Sequence, residues 1–95
     1  MLNKENKLQC NKVINAYPKE HQLLLLMEEL SELIQATSKL LRYGDMEPFL
    51  EEYADVAVMM EQARQLYHID DKEINKRAGK KLFRALEGKC QIKKD

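Results

Sequence analysis

The fold is set by residues 23–42, which read LLLLMEELSELIQATSKLLR. Apolar residues recur in this stretch every three or four positions, which is the spacing of an amphipathic α-helix. The main apolar stripe of the predicted helix consists of Leu23, Leu26, Met27, Leu30, Leu33, Ile34, Thr37 and Leu41. Leu24 and Leu25 fall outside this stripe, so the helix carries more apolar surface than a small monomer needs. The surplus predicts a second buried surface, formed by self-association.

Proline and glycine mark the ends of this helix and of a shorter one before it. A first short helix is predicted from about Lys7 to Ala16. Pro18 suits the first turn of the long helix, which runs to about Arg42 and ends near Gly44.

The second half of the chain predicts two more helices. Pro48 opens the third, which runs to about Tyr67, and Asp70 with Glu73 forms a capping box for a fourth that ends at Gly88. The charged tail, residues 89–95, is expected to fray. We therefore predict one all-α domain over residues 1–95, a bundle of four to five helices completed by oligomerisation.

Charge is balanced over the whole chain but unevenly distributed along it. Residues 20–63 contain ten acidic and two basic residues, Lys39 and Arg42, for a net charge of −8, while residues 64–95 carry ten basic and five acidic ones. The zero total argues against a nucleic-acid polymer as partner. No signal peptide or membrane-length apolar run occurs, so we expect a cytoplasmic protein without a membrane partner and with Cys10 and Cys90 as free thiols.

Two acidic clusters lie in the negative region, and each places two carboxylates three residues apart on a helix. A helical wheel puts Glu29 and Glu32 on one wall of the second helix and Glu52 and Asp55 on a matching wall of the third, while Glu28 points outward. The short connection between these helices favours antiparallel packing, which would bring the four carboxylates together.

The ordinary interpretation of such clusters is a solvated helix face. Three features argue against it: Glu28 and Glu32 repel each other with no basic residue within a turn, Glu29 and Glu52 border apolar stripes, and the pattern occurs twice. Because all ligands would be oxygen atoms, the sequence predicts a hard divalent cation such as Mg²⁺.

The motif Glu28-Glu29-x-x-Glu32, followed after nineteen residues by Glu52-x-x-Asp55, resembles the signature of the MazG-like all-α nucleoside triphosphate pyrophosphohydrolases. The resemblance covers about residues 20–85. It implies Mg²⁺, with Mn²⁺ as a substitute, bound by Glu29, Glu32, Glu52 and Asp55. Glu28 would be a supporting or second-metal position, and Glu28 or Glu32 would orient the attacking water. It also implies a homodimer or homotetramer that acts on nucleoside triphosphates, in a house-cleaning role for the nucleotide pool.

A basic segment follows the second acidic motif. The stretch Lys81-Leu82-Phe83-Arg84 resembles the Lys-Leu-x-Arg stretch of the same family, which implies that Lys81 and Arg84 contact substrate phosphates. The ordinary alternative is a solvated outer helix face. His21 and Gln22 precede the first motif, where they would line a nucleotide pocket or simply lie on the surface.

Three other functions remain open at this point. Phosphoribosyl-ATP pyrophosphohydrolase shares the fold and uses a similar glutamate-rich motif, and all-α dUTPases are a further relative with longer chains. From a different class, the chain could be a non-catalytic helical module for oligomerisation or interaction. Such a module would show neither Mg²⁺-dependent stabilisation nor pyrophosphate release.

Overall fold

The computed structural model of the protein describes residues 1–88 and confirms the all-α prediction. Its four helices are α1 (Lys4–Ala16), α2 (Lys19–Tyr43), α3 (Met46–Leu66) and α4 (Asp71–Leu86). The predicted fraying of the tail falls on residues 89–95, which lie outside the described residues. Across residues 1–88, no helix is both long enough and apolar enough to cross a bilayer.

Two helices start earlier than predicted. α1 begins at Lys4 because Asn3 caps it, its side-chain oxygen accepting a hydrogen bond from the Asn6 amide at 2.8 Å. α3 begins at Met46, so Pro48 lies inside its first turn, where a missing amide hydrogen breaks no helical hydrogen bond. Pro18 was expected in the first turn of α2, but it is the N-cap residue and lies just before the helix.

The α3–α4 connection is fixed by a left-handed residue. His68 has φ 52°, and the amides of His68 and Ile69 donate back to the carbonyls of Gln65 and Arg64. This is the Schellman arrangement, which usually uses glycine at the left-handed position. Sequence reasoning missed it because a histidine gives no signal for it.

The start of α4 shows half of the predicted capping box. The Asp70 carboxylate accepts a hydrogen bond from the Lys72 amide at 3.0 Å. The Glu73 carboxylate accepts instead from the guanidinium of Arg77, one turn further along the helix.

α2 and α3 pack against each other along their length as an antiparallel hairpin, since only Gly44 and Asp45 connect them. Gly44 makes this sharp reversal with φ 69°. The seam between the two helices contains Gln22, Glu29 and Ala36 of α2, which are seven residues apart and so share one face.

The seam is not the apolar stripe predicted for α2. Most of that stripe is exposed, as are Tyr53 and Met60 of α3 and Tyr67 at its C-terminal end. In each helix, the exposed residues lie about 120° around the helix axis from the residues at the seam, in the same direction of rotation. Because the two helices run antiparallel, both sets lie on the same side of the hairpin. We define the apolar face as Leu23, Met27, Leu30, Ile34 and Leu41 of α2 with Tyr53 and Met60 of α3 and its C-cap, Tyr67.

α1 packs on α3, and side-chain hydrogen bonds of Gln65 connect the two helices. The Gln65 amide donates to the Lys7 carbonyl at 3.0 Å and accepts from the Asn11 side chain at 3.1 Å. Cys10 is buried beside Val58 and is a free thiol, as predicted. Its predicted counterpart Cys90 lies outside the described residues.

Next to Gln65, Glu61 is almost fully buried and ionised. The Arg64 guanidinium donates hydrogen bonds to both carboxylate oxygens of Glu61, the shorter at 2.6 Å. The Gln65 amide donates to the same carboxylate at 2.8 Å. Hydrogen bonding to Arg64 lowers the pKa of Glu61 to about 2, against the opposing effect of burial.

α4 differs from the other helices because it packs on none of them to a comparable extent. Its first turn borders a shallow pocket with Leu2 and Ile69, but all of its residues except Ala78 are exposed. The basic residues of α4 are therefore not brought to the α2–α3 seam within one chain.

Candidate metal centre

Three carboxylates converge at the middle of the α2–α3 seam. Glu29 of α2 faces Glu52 and Asp55 of α3, and one oxygen of each lies within 4.8 Å of the others. The spacing of three residues between Glu52 and Asp55 puts them on adjoining positions of one helix face. The sequence prediction that these residues meet is therefore consistent with the geometry.

Glu32, the fourth predicted ligand, lies against the same group. Its carboxyl is close enough to those of Glu29 and Glu52 to raise the pKa of each. It lies one turn from Glu29 on α2 and is half-buried, as are Glu29 and Glu52, whereas Asp55 is exposed. The centre is thus open to solvent on the Asp55 side.

The electrostatics of the centre disfavour four bare negative charges. Burial, followed by the nearby carboxyls of Glu32 and Asp55, raises the pKa of Glu29 to about 7. The pKa of Glu52 is raised as well, first by burial and then by Asp55 and Glu32. Either protons or a cation must offset this repulsion near neutral pH.

Hydrogen bonds from the described chain do not neutralise the centre. The Oε1 atom of Glu52 is buried and receives no hydrogen bond within residues 1–88. The two ion pairs of this part of the chain, Glu61–Arg64 and Glu73–Arg77, lie elsewhere. An oxygen-only group with an orphaned buried oxygen fits a hard divalent cation such as Mg²⁺ or Mn²⁺.

The other predicted catalytic and phosphate-binding residues lie outside this group. Glu28 is exposed on α2 and is not one of the three residues whose carboxylate oxygens converge. Lys81 and Arg84 are exposed on one surface of α4 with Lys76 and Lys80. Lys81 and Arg84 therefore remain candidates. Their distance from the carboxylates depends on the surface against which α4 packs.

The two nucleotide-pocket candidates separate in the structure. His21 is exposed, with its ring 5.4 Å from that of Tyr17. Gln22 is only 2% exposed, so the expected surface position is wrong for this residue. It lies on the seam because it is seven residues, two helical turns, before Glu29.

Sequence reasoning missed the counterpart of Gln22 on α3. Gln62 is 3% exposed and lies seven residues after Asp55, so the two residues share one face of α3. The side-chain oxygen of Gln62 and both polar atoms of the Gln22 amide are buried without a hydrogen-bond partner among the described residues. The matching seven-residue intervals, 22 to 29 and 55 to 62, were the available signal.

Comparison of the chain with protein-family models, with curated proteins and with solved structures finds no match.

Proposed function

We propose that this protein is a Mg²⁺-dependent nucleotide pyrophosphohydrolase that converts a nucleoside triphosphate into the monophosphate and pyrophosphate. The observation that carries the proposal is the convergence of Glu29, Glu52 and Asp55 within 4.8 Å, with Glu32 beside them and no ion pair to a basic side chain within residues 1–88. The resemblance of the two acidic motifs to the MazG-like family supports the choice of substrate class.

The chain's own residues have distinct roles in this reaction. Glu29, Glu32, Glu52 and Asp55 would hold the cation, which would neutralise triphosphate charge and make a water molecule more acidic. The water oxygen forms a bond to the α-phosphorus, the bond from that phosphorus to the α–β bridging oxygen breaks, and pyrophosphate leaves. The water proton passes to a carboxylate, for which Glu32 or Glu28 is the candidate, and then to solvent.

Most of the catalytic effect in such a reaction comes from positioning and charge. Lys81 and Arg84 are the candidate phosphate ligands, and His21 and Gln22 are the candidates near the base or sugar. We also propose a homodimer or homotetramer, since the apolar face leaves eight large side chains exposed.

The experiment is a pyrophosphate-release screen over the common ribo- and deoxynucleoside triphosphates and phosphoribosyl-ATP, with and without Mg²⁺. Turnover should require Mg²⁺, and preference for phosphoribosyl-ATP would identify the alternative enzyme of the same fold. Glu52→Ala and Asp55→Ala should abolish turnover, while Glu51→Ala provides a matched control because Glu51 is an exposed neighbour. Full activity in both site variants would refute the assignment.

A non-catalytic helical module is the second candidate, favoured by the extent of the apolar face. It predicts no pyrophosphate from any nucleotide and no effect of Mg²⁺ on the thermal unfolding midpoint. The same screen with a thermal melt therefore separates the two functions.

A further inference from the structure

Two aromatic rings lie exposed at the start of α2. Tyr17 precedes the N-cap Pro18 and lies beside His21, with ring centroids 5.4 Å apart and ring planes inclined by 32°. Tyr17 is 54% exposed, and His21 is exposed as well. We refer to Tyr17 and His21 as the aromatic pair. The packing of residues 1–88 leaves aromatic surface of this pair free for a ligand.

The aromatic pair lies on the side of the hairpin where the candidate metal centre is open. On a helical wheel, His21 and Glu32 lie within about 20° of each other, on the side of α2 away from Leu30 of the apolar face. On α3, Asp55 lies on the side away from Tyr53 of the apolar face. Because the apolar face occupies one side of the hairpin, His21, Glu32 and the exposed Asp55 share the other side.

The distance along α2 from the pair to the centre suits a nucleotide. His21 precedes Glu29 by eight residues, which corresponds to about 12 Å along the helix axis. Between them, on the same side of α2, Leu25 is half-buried and offers apolar surface. A nucleotide held by its phosphates at the carboxylates would project its ribose over Leu25 and its base to the aromatic pair.

The exposed tyrosines at the other helix ends are placed differently. Tyr67 belongs to the apolar face, and the Lys19 Nζ atom lies 4.8 Å from the centre of its ring. Tyr43 is 71% exposed at the far end of α2, about 21 Å along the axis from Glu29, with the Arg42 guanidinium 5.0 Å from its ring. Each of these two rings has a cation beside it, whereas in the described part of the chain the aromatic pair has none.

We propose that the aromatic pair is a base subsite: the nucleobase of the substrate stacks on Tyr17 and His21 while its phosphates lie at the carboxylate centre. The inference rests on the proposed function and adds Tyr17 as a residue that determines substrate class. Because every base has a π-face, stacking predicts that purine and pyrimidine nucleotides both bind. A triphosphate without a base should bind more weakly.

The ordinary alternative is a structural role for the same contact. A residue just before a helix N-cap often packs on the first turns of the helix and stabilises its start. In that case the Tyr17–His21 contact would affect the stability of α2 and not the binding of a base.

The test is isothermal titration of the full chain, with Mg²⁺ present, against three probes. Two are the α,β-methylene analogues of ATP and UTP, which lack the bridging oxygen at which the proposed reaction breaks, and the third is inorganic tripolyphosphate, which lacks a base. Tyr17→Leu and His21→Leu should each weaken binding of both analogues about tenfold and leave tripolyphosphate binding unchanged. Tyr17→Phe keeps the ring and should bind like the unmodified chain, and Tyr43→Leu is the matched control that should change nothing.

A second measurement separates base binding from helix stability. In steady-state turnover, Tyr17→Leu should raise KM and leave kcat nearly unchanged, because stacking holds substrate and transition state equally. Its thermal unfolding midpoint should change little. A lower midpoint with unchanged KM and unchanged analogue affinity would establish the structural role instead.

Three further results would overturn the base subsite. These are equal affinity of the unmodified chain for the analogues and tripolyphosphate, unchanged analogue binding in both variants of the pair, and an equal loss of binding in Tyr43→Leu. In each of them the phosphates still bind, so the proposed hydrolase function survives. If no probe binds with Mg²⁺ present, the proposed function fails and the base subsite fails with it.

Discussion

Glu29 shows at the scale of one residue how position determines chemistry. Its place on the seam follows from the seven-residue interval to Gln22, and burial beside two other carboxyls raises its pKa to about 7. The expectation that Glu32, Glu52 and Asp55 lie near Glu29 is consistent with this geometry, because residues three positions apart share one helix face and a short connection favours antiparallel packing. The sequence could not predict the depth of burial, which depends on how closely α3 packs.

The pH dependence of stability should report this carboxyl. The folded pKa of Glu29, about 7, lies above its unfolded value near 4.5, so the folded state binds the extra proton between these limits. The metal-free protein should therefore lose stability as pH rises from about 4.5 to 7. Glu61, with a pKa of about 2, titrates below this range and does not interfere.

Thermal melts from pH 5 to pH 8 would measure this loss. Excess Mg²⁺ should replace the proton and flatten the profile, and Glu29→Gln should do the same without the metal. An unfolding midpoint that rises over this pH range in the metal-free protein would contradict the assignment.

A second residue-scale prediction concerns Glu61. Arg64→Ala leaves this carboxylate buried without its main partner, which should cost about 1–3 kcal/mol of unfolding free energy. Arg77→Ala is the control, because the Glu73–Arg77 pair is well exposed and should contribute less than about 1 kcal/mol. Urea denaturation of both variants compares them, and equal losses would show that burial does not strengthen the Glu61 pair.

At the scale of the helices, the seam is more polar than periodicity suggested. Number, type and order of the helices were predictable, since proline, glycine and the apolar spacing mark them. The face that α2 turns toward α3 was not predictable, because the stripe with the most leucines is the exposed apolar face and the seam instead holds Gln22, Glu29 and Glu32. Hydrophobic periodicity identifies the most apolar side of a helix, and in an oligomer that side can face another chain.

The buried amides of the seam give an element-scale prediction. Neither polar atom of the buried Gln22 amide has a hydrogen-bond partner in the part of the chain that the structure describes, so Gln22→Leu should stabilise the chain by about 1–2 kcal/mol. His21→Leu is the matched control, because His21 is the exposed neighbour and its replacement should change stability little. Chemical denaturation measures both, and a destabilised Gln22→Leu variant would mean that the amide has a partner in the assembled protein.

At the scale of the whole molecule, two features extend beyond one chain. The buried apolar core is small, with Cys10, Ala36, Ala57 and Met59 as its buried members among the described residues, while a large apolar surface faces outward. The carboxylates converge on one centre, but the predicted phosphate ligands Lys81 and Arg84 stand apart on α4. Both features are consistent with an assembly in which a second chain completes the molecule.

The most direct test of the central claim is isothermal titration of the metal-free protein with Mg²⁺ at pH 7.5, without nucleotide. Binding is expected, with affinity reduced at least about tenfold by Glu52→Gln and unchanged by Glu51→Gln. Equal binding by both variants, or no binding by the unmodified chain at millimolar Mg²⁺, would contradict a cation site between α2 and α3.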